Sequence, residues 1–295
     1  MKVSGFTFVK NAIKYGYPVV ESIQSILPVV DEMVVCLGDS EDETNALIAS
    51  IGSAKIKVIH SVWDSSLREG GKVLAVETDK AMDATADDAD WLFYIQADEA
   101  VHEQYHPVII DAMMKYKDDK KVDGLLFPYH HFYGSYQLIG DGRKWYSKEI
   151  RVIRNNKNIR SFRDAQGFRF NDNRKLNVKL IDAYIYHYGW VRNPVKMFQK
   201  YKDFGQHWVP KSQHDQWAKE LAEKTTQYDY SDIDSVTPFE GTHPAVMQEL
   251  ISKENWTADI DVNRKKFKNF KHRLLYFLWR NFGWRPFEYR NFKRI

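Results

Sequence analysis

The residues of this chain best suited to chemistry lie in the stretch WLFYIQADEAVHE, 91–103, where an apolar run ends in Gln96-Ala97-Asp98-Glu99. Acidic side chains at the end of a buried strand sit where open α/β sheets take their ligands, in the crevice outside the carboxyl ends of the strands. Carboxylates there are hard oxygen ligands, suited to a divalent cation that carries a phosphate-rich molecule. The same four residues also fit a plain acidic turn, so their meaning depends on what is brought around them.

The elements that must position these groups are legible in the alternation of short apolar runs with helical patterns across the first half, the signature of a mostly parallel α/β sheet. Strands are expected at about 3–9, 32–37, 56–60, 91–96 and 123–128, and helices at about 18–27, 42–51, 70–85 and 104–117. The run Gly38-Asp39-Ser40-Glu41-Asp42-Glu43-Thr44 supplies N-cap candidates, and acids suited to the positive end of the second helix. Gly70-Gly71-Lys72 opens the third helix, where backbone N–H groups and an ammonium suit a diphosphate; a solvated surface lysine is the plainer reading. From about 123 to 190 the texture changes to strands and aromatic loops. Helices return at about 194–205, 213–224 and 243–252, and Phe267, Phe270, Leu274, Phe277 and Leu278 mark a last, amphipathic one. Tyr129 to Gly134, with Trp145, offer ring faces on which a sugar can stack. His130 and His131 are adjacent on a strand and point to opposite faces, which disfavours them as a ligand pair.

Composition bounds the class. With 295 residues, 43% apolar and 28% charged, the chain can bury a large core and does not read as disordered. Cys36 is the one cysteine and has no intramolecular partner, which suits a reducing compartment. No run approaches the length of a membrane span and the start is not a signal peptide, so a cytoplasmic protein is expected. The net charge of +3 is unevenly spread: 264–295 holds 11 Lys or Arg against Glu288 alone, leaving the first 263 residues at −7. A basic, aromatic-rich tail on an acidic body points to an anionic surface as partner. No nucleic-acid-binding motif is evident.

Four segments in order, VSGFTFVKNAI, DEMVVCLGDSEDET, GGKVLAVETDKAM and WLFYIQADEAV, resemble the N-terminal half of a family-2 glycosyltransferase with the GT-A fold. HYGWVRNPVKM and the closing GWRPFEYRNF resemble the second half of a bacterial subset of that family. The resemblance implies a Rossmann-like, mostly parallel sheet flanked by helices. It implies a transferase domain over 1–225, with a nucleotide-sugar half at 1–122 and an acceptor half at 123–225, followed by a basic helical extension at 226–295. In that family the second strand ends in a pattern that embraces the nucleoside, and Ser40, Asp42 and Thr44 match it, while the acidic positions before them are Leu37 and Gly38 with Asp39 shifted along. The family's paired-aspartate motif is matched imperfectly by Gln96-Ala97-Asp98, which implies Asp98 as the ligand to Mn²⁺ or Mg²⁺, Gln96 as a ribose contact and Glu99 as a supporting acid. His187 looks like the C-terminal histidine that completes the metal site or touches the diphosphate; a structural histidine is the alternative. Asp164, in the loop where related enzymes hold an acceptor-side acid, is the expected general base, with Glu149 in reserve, and a pairing of Asp164 with Arg160 or Arg163 is equally open.

The function implied is a metal-dependent, inverting transfer of sugar from a nucleotide-sugar to a glycan or lipid-linked acceptor in bacterial surface polysaccharide synthesis. Two alternatives stay open. A sugar-phosphate nucleotidyltransferase would share the α/β half and the acids, yet its Gly-rich basic loop is missing where the first strand runs into Phe8-Val9-Lys10-Asn11. A non-catalytic module could instead dock on an anionic membrane at the inner face through 264–295, since basic residues interleaved with Phe, Leu and Trp fit an interfacial helix.

Overall fold

The computed structural model describes residues 1–67, 69–208 and 211–295. The strands in chain order are β1 (Val3–Val9), β2 (Glu32–Gly38), β3 (Ile56–Ser61), β4 (Trp91–Tyr94), β5 (Glu99–Val101), β6 (Gly124–Tyr133), β7 (Ser135–Gly140), β8 (Lys148–Arg154), β9 (Ile159–Phe162), β10 (Gly167–Phe170), β11 (Leu176–Leu180), β12 (Ile185–Trp190), β13 (Val236–Pro238) and β14 (Phe292–Arg294). The helices are α1 (Ala12–Tyr15), α2 (Val19–Ile26), α3 (Thr44–Ala49), α4 (Lys72–Asp83), α5 (His106–Tyr116), α6 (Pro194–Phe204), α7 (Lys211–Lys224), α8 (Gln248–Ser252) and α9 (Phe270–Phe282).

The fold is α/β, with a central sheet flanked by helices. Among the described residues twelve strands form one sheet, whose N-terminal half runs β3-β2-β1-β4 with all pairings parallel. Antiparallel β8 joins that half to the long strand β6. The first part of β6 pairs with β11, and its last part with β12 and β7. Alternation explains how β1, β2 and β4 of the parallel half are covered on both faces, while the edge strand β3 has no buried residue. Met33, Val35 and Leu37 of β2 and Trp91 and Phe93 of β4 pack with Ile23 and Ile26 of α2 and Ile109 and Met113 of α5. Val34, Cys36, Leu92 and Tyr94, one residue out of phase, pack with Val73, Leu74, Ala81 and Met82 of α4. Buried from both sides, the strands end together, and their carboxyl ends form one rim of the molecule.

The segment 226–295 contains α8 and α9, and it is also tied into the sheet. β13 extends it beyond β7, and β14 pairs with β11 in parallel.

Candidate active site

After β4 the chain turns through Gln96, Ala97 and Asp98, then returns as β5 antiparallel to β12. The register sets His187 opposite Glu99, and the N–H of Tyr188 donates to the Asp98 carbonyl at 2.7 Å. Two segments 89 residues apart in sequence thus bring Asp98 and His187 together, with Asp98 Oδ1 3.9 Å from His187 Nε2. The gap between them is kept open by Gly189: a Cβ there would lie 2.4 Å from His187 Nε2 and 3.0 Å from Asp98 Oδ2.

The hydrogen bonds fix the tautomer of His187. His131 Nε2 lies 2.8 Å from the carbonyl of Tyr146, which can only accept, so Nε2 carries the hydrogen. Burial, reinforced by the neighbouring His187, holds the His131 pKa well below the usual range, so its Nδ1 is a bare acceptor. His187 Nδ1–H donates to it at 3.1 Å, leaving the lone pair of His187 on Nε2, toward Asp98. A histidine whose distal N–H is held this way is set up as a metal ligand.

The other carboxylate oxygen of Asp98 faces cations. Lys200 Nζ is 3.4 Å and Arg192 Nη2 3.7 Å from Oδ2. Burial alone would raise the Asp98 pKa, but the positive charges of Lys200 and Arg192 outweigh it and hold the carboxyl below its usual range. Burial and the adjacent Arg192 push the Lys200 ammonium down to about 7 against the pull of Asp98. Arg192 is fixed by donating Nε–H to the Tyr15 carbonyl and Nη1–H to that of Gly189, while its buried Nη2 has no hydrogen-bond partner among the described residues. Both cations come from the segment that follows β12. Asn193 caps α6 by accepting from the Val195 N–H at 2.9 Å, Pro194 takes the first helical turn, and Lys200 lies two turns on.

Glu99 does not join Asp98 at this site. Its oxygens accept from Arg151 Nη2 at 2.7 Å, Arg151 Nε at 2.8 Å and the Tyr129 hydroxyl at 2.8 Å, all buried. It is the anchor of a buried ion pair, and coordinating a cation would break that pair. Among the described residues no three His, Cys, Asp or Glu side chains surround a common point for a metal. Asp98 and His187 supply two donors, a set that fits Mg²⁺ or Mn²⁺ if phosphate oxygens and water complete it.

Gln96 and Asp164 are brought to the same rim. Gln96 Nε2 donates to the Ala165 carbonyl at 3.1 Å, and Arg151 Nη1 donates to the Gln166 carbonyl at 2.9 Å. Leading into these pins, Arg163 and Ala165 both adopt left-handed backbone, φ 59° and 62°. Non-glycine residues hold such angles only where the surroundings over-determine them. Asp164 sits against Gly71, where a Cβ would come within 2.8 Å of the Asp164 Cβ and 3.4 Å of the Trp208 ring. Burial raises the Asp164 pKa above the usual carboxylate range. Arg160 pairs with Asp83 at 2.8 Å, and Arg163 lies over the Phe162 and Tyr289 rings. Glu149 lies deeper: burial pushes it up to about 8, and its Oε2 has no hydrogen-bond partner among the described residues.

Ser40 and Asp42 hold the rim together. Ser40 Oγ accepts from the Asn11 N–H at 3.0 Å, and Asp42 accepts from the Lys14 N–H at 2.7 Å and from Thr44. The cleft beside them, about 230 Å³, is lined instead by Lys10, Asn11, Lys14, Glu41, Trp63 and Val73, among others. Lys72 is exposed and is not among its lining residues. A second cavity of about 650 Å³ adjoins Lys200, walled by Trp190, Tyr201, Phe204, Trp208 and Trp217. The expected separation of His130 from His131 is seen: His130 stacks on Tyr184 with ring centroids 4.4 Å apart, while His131 turns to His187. Lys200, Arg192 and Arg151 were not singled out by sequence, and His131 was weighed there only with His130 as a ligand pair, not as the partner of His187. Arg192 lies inside HYGWVRNPVKM, but nothing in the order of residues marks Lys200 or Arg151.

No family model matches this chain, and no curated protein matches it. Solved structures similar to it include S. aureus TarS 1-349, at 14% identity over 75% of this chain and 71% of that one, with a TM-score of 0.37. The same protein in complex with UDP gives 13%, 76%, 71% and 0.38. Glucosyl-3-phosphoglycerate synthase from Mycobacterium tuberculosis, in complex with Mn²⁺, UDP and glucosyl-3-phosphoglycerate, is 20% identical over 45% of this chain and 44% of that one, with a TM-score of 0.28. Likeness this distant leaves the chemistry to be read from the side chains.

Proposed function

We propose that this protein is a glycosyltransferase that moves a sugar from a nucleotide-sugar to an acceptor hydroxyl, assisted by a divalent cation. The observation that carries the reading is the two-sided environment of Asp98 at the carboxyl ends of parallel strands. One oxygen faces the lone pair of His187 across a gap kept open by glycine, and the other faces two buried cations, one with an unused donor. That is the complement of a diphosphate with its counter-ion. The GT-A assignment and inversion at the anomeric carbon follow from the motif resemblance.

A bound Mn²⁺ or Mg²⁺ would be held by Asp98 and His187 and would supply Lewis-acid stabilisation of the leaving diphosphate. Lys200 and Arg192 neutralise charge on the same group as the bond from the anomeric carbon to the diphosphate oxygen breaks. The acceptor oxygen forms the new bond to that carbon, and Asp164 takes its proton; burial makes Asp164 a stronger base than an exposed aspartate. Glu149, neutral below about pH 8, is the poorer base. The base and ribose enter the cleft beside Trp63 and Lys10, and the ring walls near Trp208 suit the faces of an acceptor sugar.

The test is transfer and donor hydrolysis with a panel of nucleotide-sugars, with Mn²⁺, with Mg²⁺ and with chelator. Turnover with at least one donor is expected, reduced 100-fold or more, roughly the cost of an electrostatic transition-state contact, in Asp98→Ala. Unchanged turnover in Asp98→Ala removes the assignment, and release of pyrophosphate from a nucleoside triphosphate with a sugar phosphate would favour nucleotidyl transfer.

A further inference from the structure

The C-terminal helix α9 presents its apolar side to solvent. Phe270, Leu274 and Phe277, at helical spacing i, i+4, i+7, form one stripe and are 78%, 45% and 51% exposed. The exposed rings continue through Phe282, the last residue of the helix, to Phe287 beyond it, 68% and 90% exposed, with the Phe277 and Phe282 rings 6.0 Å apart. Phe287 is held outward by a left-handed backbone, φ 59°.

This helix cannot roll over to hide the stripe, because its opposite side is already committed. Tyr276 donates to Asp141 at 2.8 Å and accepts from Ser235. Trp279 lies under the guanidinium of buried Arg285, which donates to the Trp145 carbonyl at 2.6 Å and pairs with Glu288 at 3.0 Å. β14, beyond it, is locked into the sheet. Contiguous apolar surface of this kind on a folded protein marks a place where something binds.

The charges around the stripe say what. Lys271, Arg273 and Arg280 flank it, Lys271 lies over the Phe287 ring, and the whole tail from 264 has one acid against 11 basic residues. We propose that α9 and the turn after it form an interfacial anchor that seats this protein on an anionic lipid bilayer, rings in the acyl boundary and basic side chains among the headgroups. No described helix is long and apolar enough to cross a membrane, which fits a helix that lies along the surface. The inference does not depend on the chemistry assigned to Asp98.

The test is co-sedimentation of the full-length chain with vesicles of phosphatidylcholine alone and of phosphatidylcholine with phosphatidylglycerol. Removing 264–295 would also remove β14 and Arg285, so the variant is the triple substitution Phe270→Ser, Leu274→Ser, Phe277→Ser, with a thermal melt to show that it folds. Binding is expected only to the anionic vesicles, weakened by salt and weakened tenfold or more, roughly, in the triple variant. Donor turnover in solution should be the same in both proteins, which separates failure here from failure of the active-site reading. No binding to anionic vesicles, or equal binding by the folded triple variant, overturns the proposal. Sedimentation velocity covers the remaining case: a dimer of the native chain that the triple variant abolishes, without vesicle binding, would make the stripe a contact between copies and also overturns it.

Discussion

The hydrogen bond between His131 and His187 makes a prediction that reaches the candidate metal site without touching it. His131→Phe keeps a ring of similar size between Tyr129 and Trp145, whose centroids are each 5.2 Å from that of His131. It removes the Nδ1 acceptor, so His187 is free to carry its hydrogen on Nε2, where it points at Asp98 and cannot bind a cation. Outer partners of ligating histidines are worth about 10–100-fold in metal affinity. That is about 1.4–2.7 kcal/mol, the cost of leaving one buried polar group unpaired. Calorimetric titration of Mn²⁺ in the presence of a nucleoside diphosphate should show that loss. Stability will fall too, because the Tyr146 carbonyl and the His187 N–H lose their partner, so the discriminating variant is His131→Asn. Its Oδ1 takes the place of Nδ1 and should recover most of the affinity even if stability is not recovered. Mn²⁺ binding by folded His131→Phe within twofold of the native protein would refute the tautomer argument.

Other expectations follow from the buried charges. The Glu149 carboxyl has a folded pKa of about 8 against an ordinary 4.5, so its stabilising contribution is complete below pH 4.5 and is lost as pH rises through about 8. At about 1.4 kcal/mol per pH unit this sets an upper limit of roughly 5 kcal/mol; Glu149→Gln should raise the urea midpoint at pH 8, leave it unchanged at pH 4, and flatten the profile between. Lys200→Met removes the nearest positive charge from Asp98, so Mn²⁺ titration should show tighter binding while kcat/KM for transfer falls about tenfold or more; parallel changes in both would sink the two-sided picture. Arg151→Met strands the Glu99 charge in the interior and should cost about 3–5 kcal/mol by denaturant unfolding, with Arg151→Met, Glu99→Gln recovering much of it.

The α/β framework was open to sequence reading because its signals are local. Strand and helix periods differ, and the expected strands at about 3–9, 32–37 and 56–60 and the helices at about 18–27 and 194–205 lie within a residue or two of those observed. Asp98 in the turn after β4 and His187 in β12 were picked out as candidates by residue type and motif order. Their mutual approach was not, because it rests on the antiparallel pairing of β5 with β12. Glu99 shows the difference most clearly. By sequence it is one more acid in an acidic turn, but its own strand β5 turns it to the side occupied by Arg151 of β8 and Tyr129 of β6.

The order of residues along single elements was enough for the class of fold, the acidic strand end, the charge asymmetry of the tail and the opposed directions of His130 and His131. The tertiary structure alone decided which cations meet Asp98, which nitrogen of His187 is left bare, that Glu99 is spent on an ion pair, and that the apolar stripe of α9 faces out. Those outcomes depend on groups tens to hundreds of residues apart competing for the same partners. A carboxylate or an imidazole takes its role from whichever neighbour reaches it first, and only the packing of the elements says which neighbour that is.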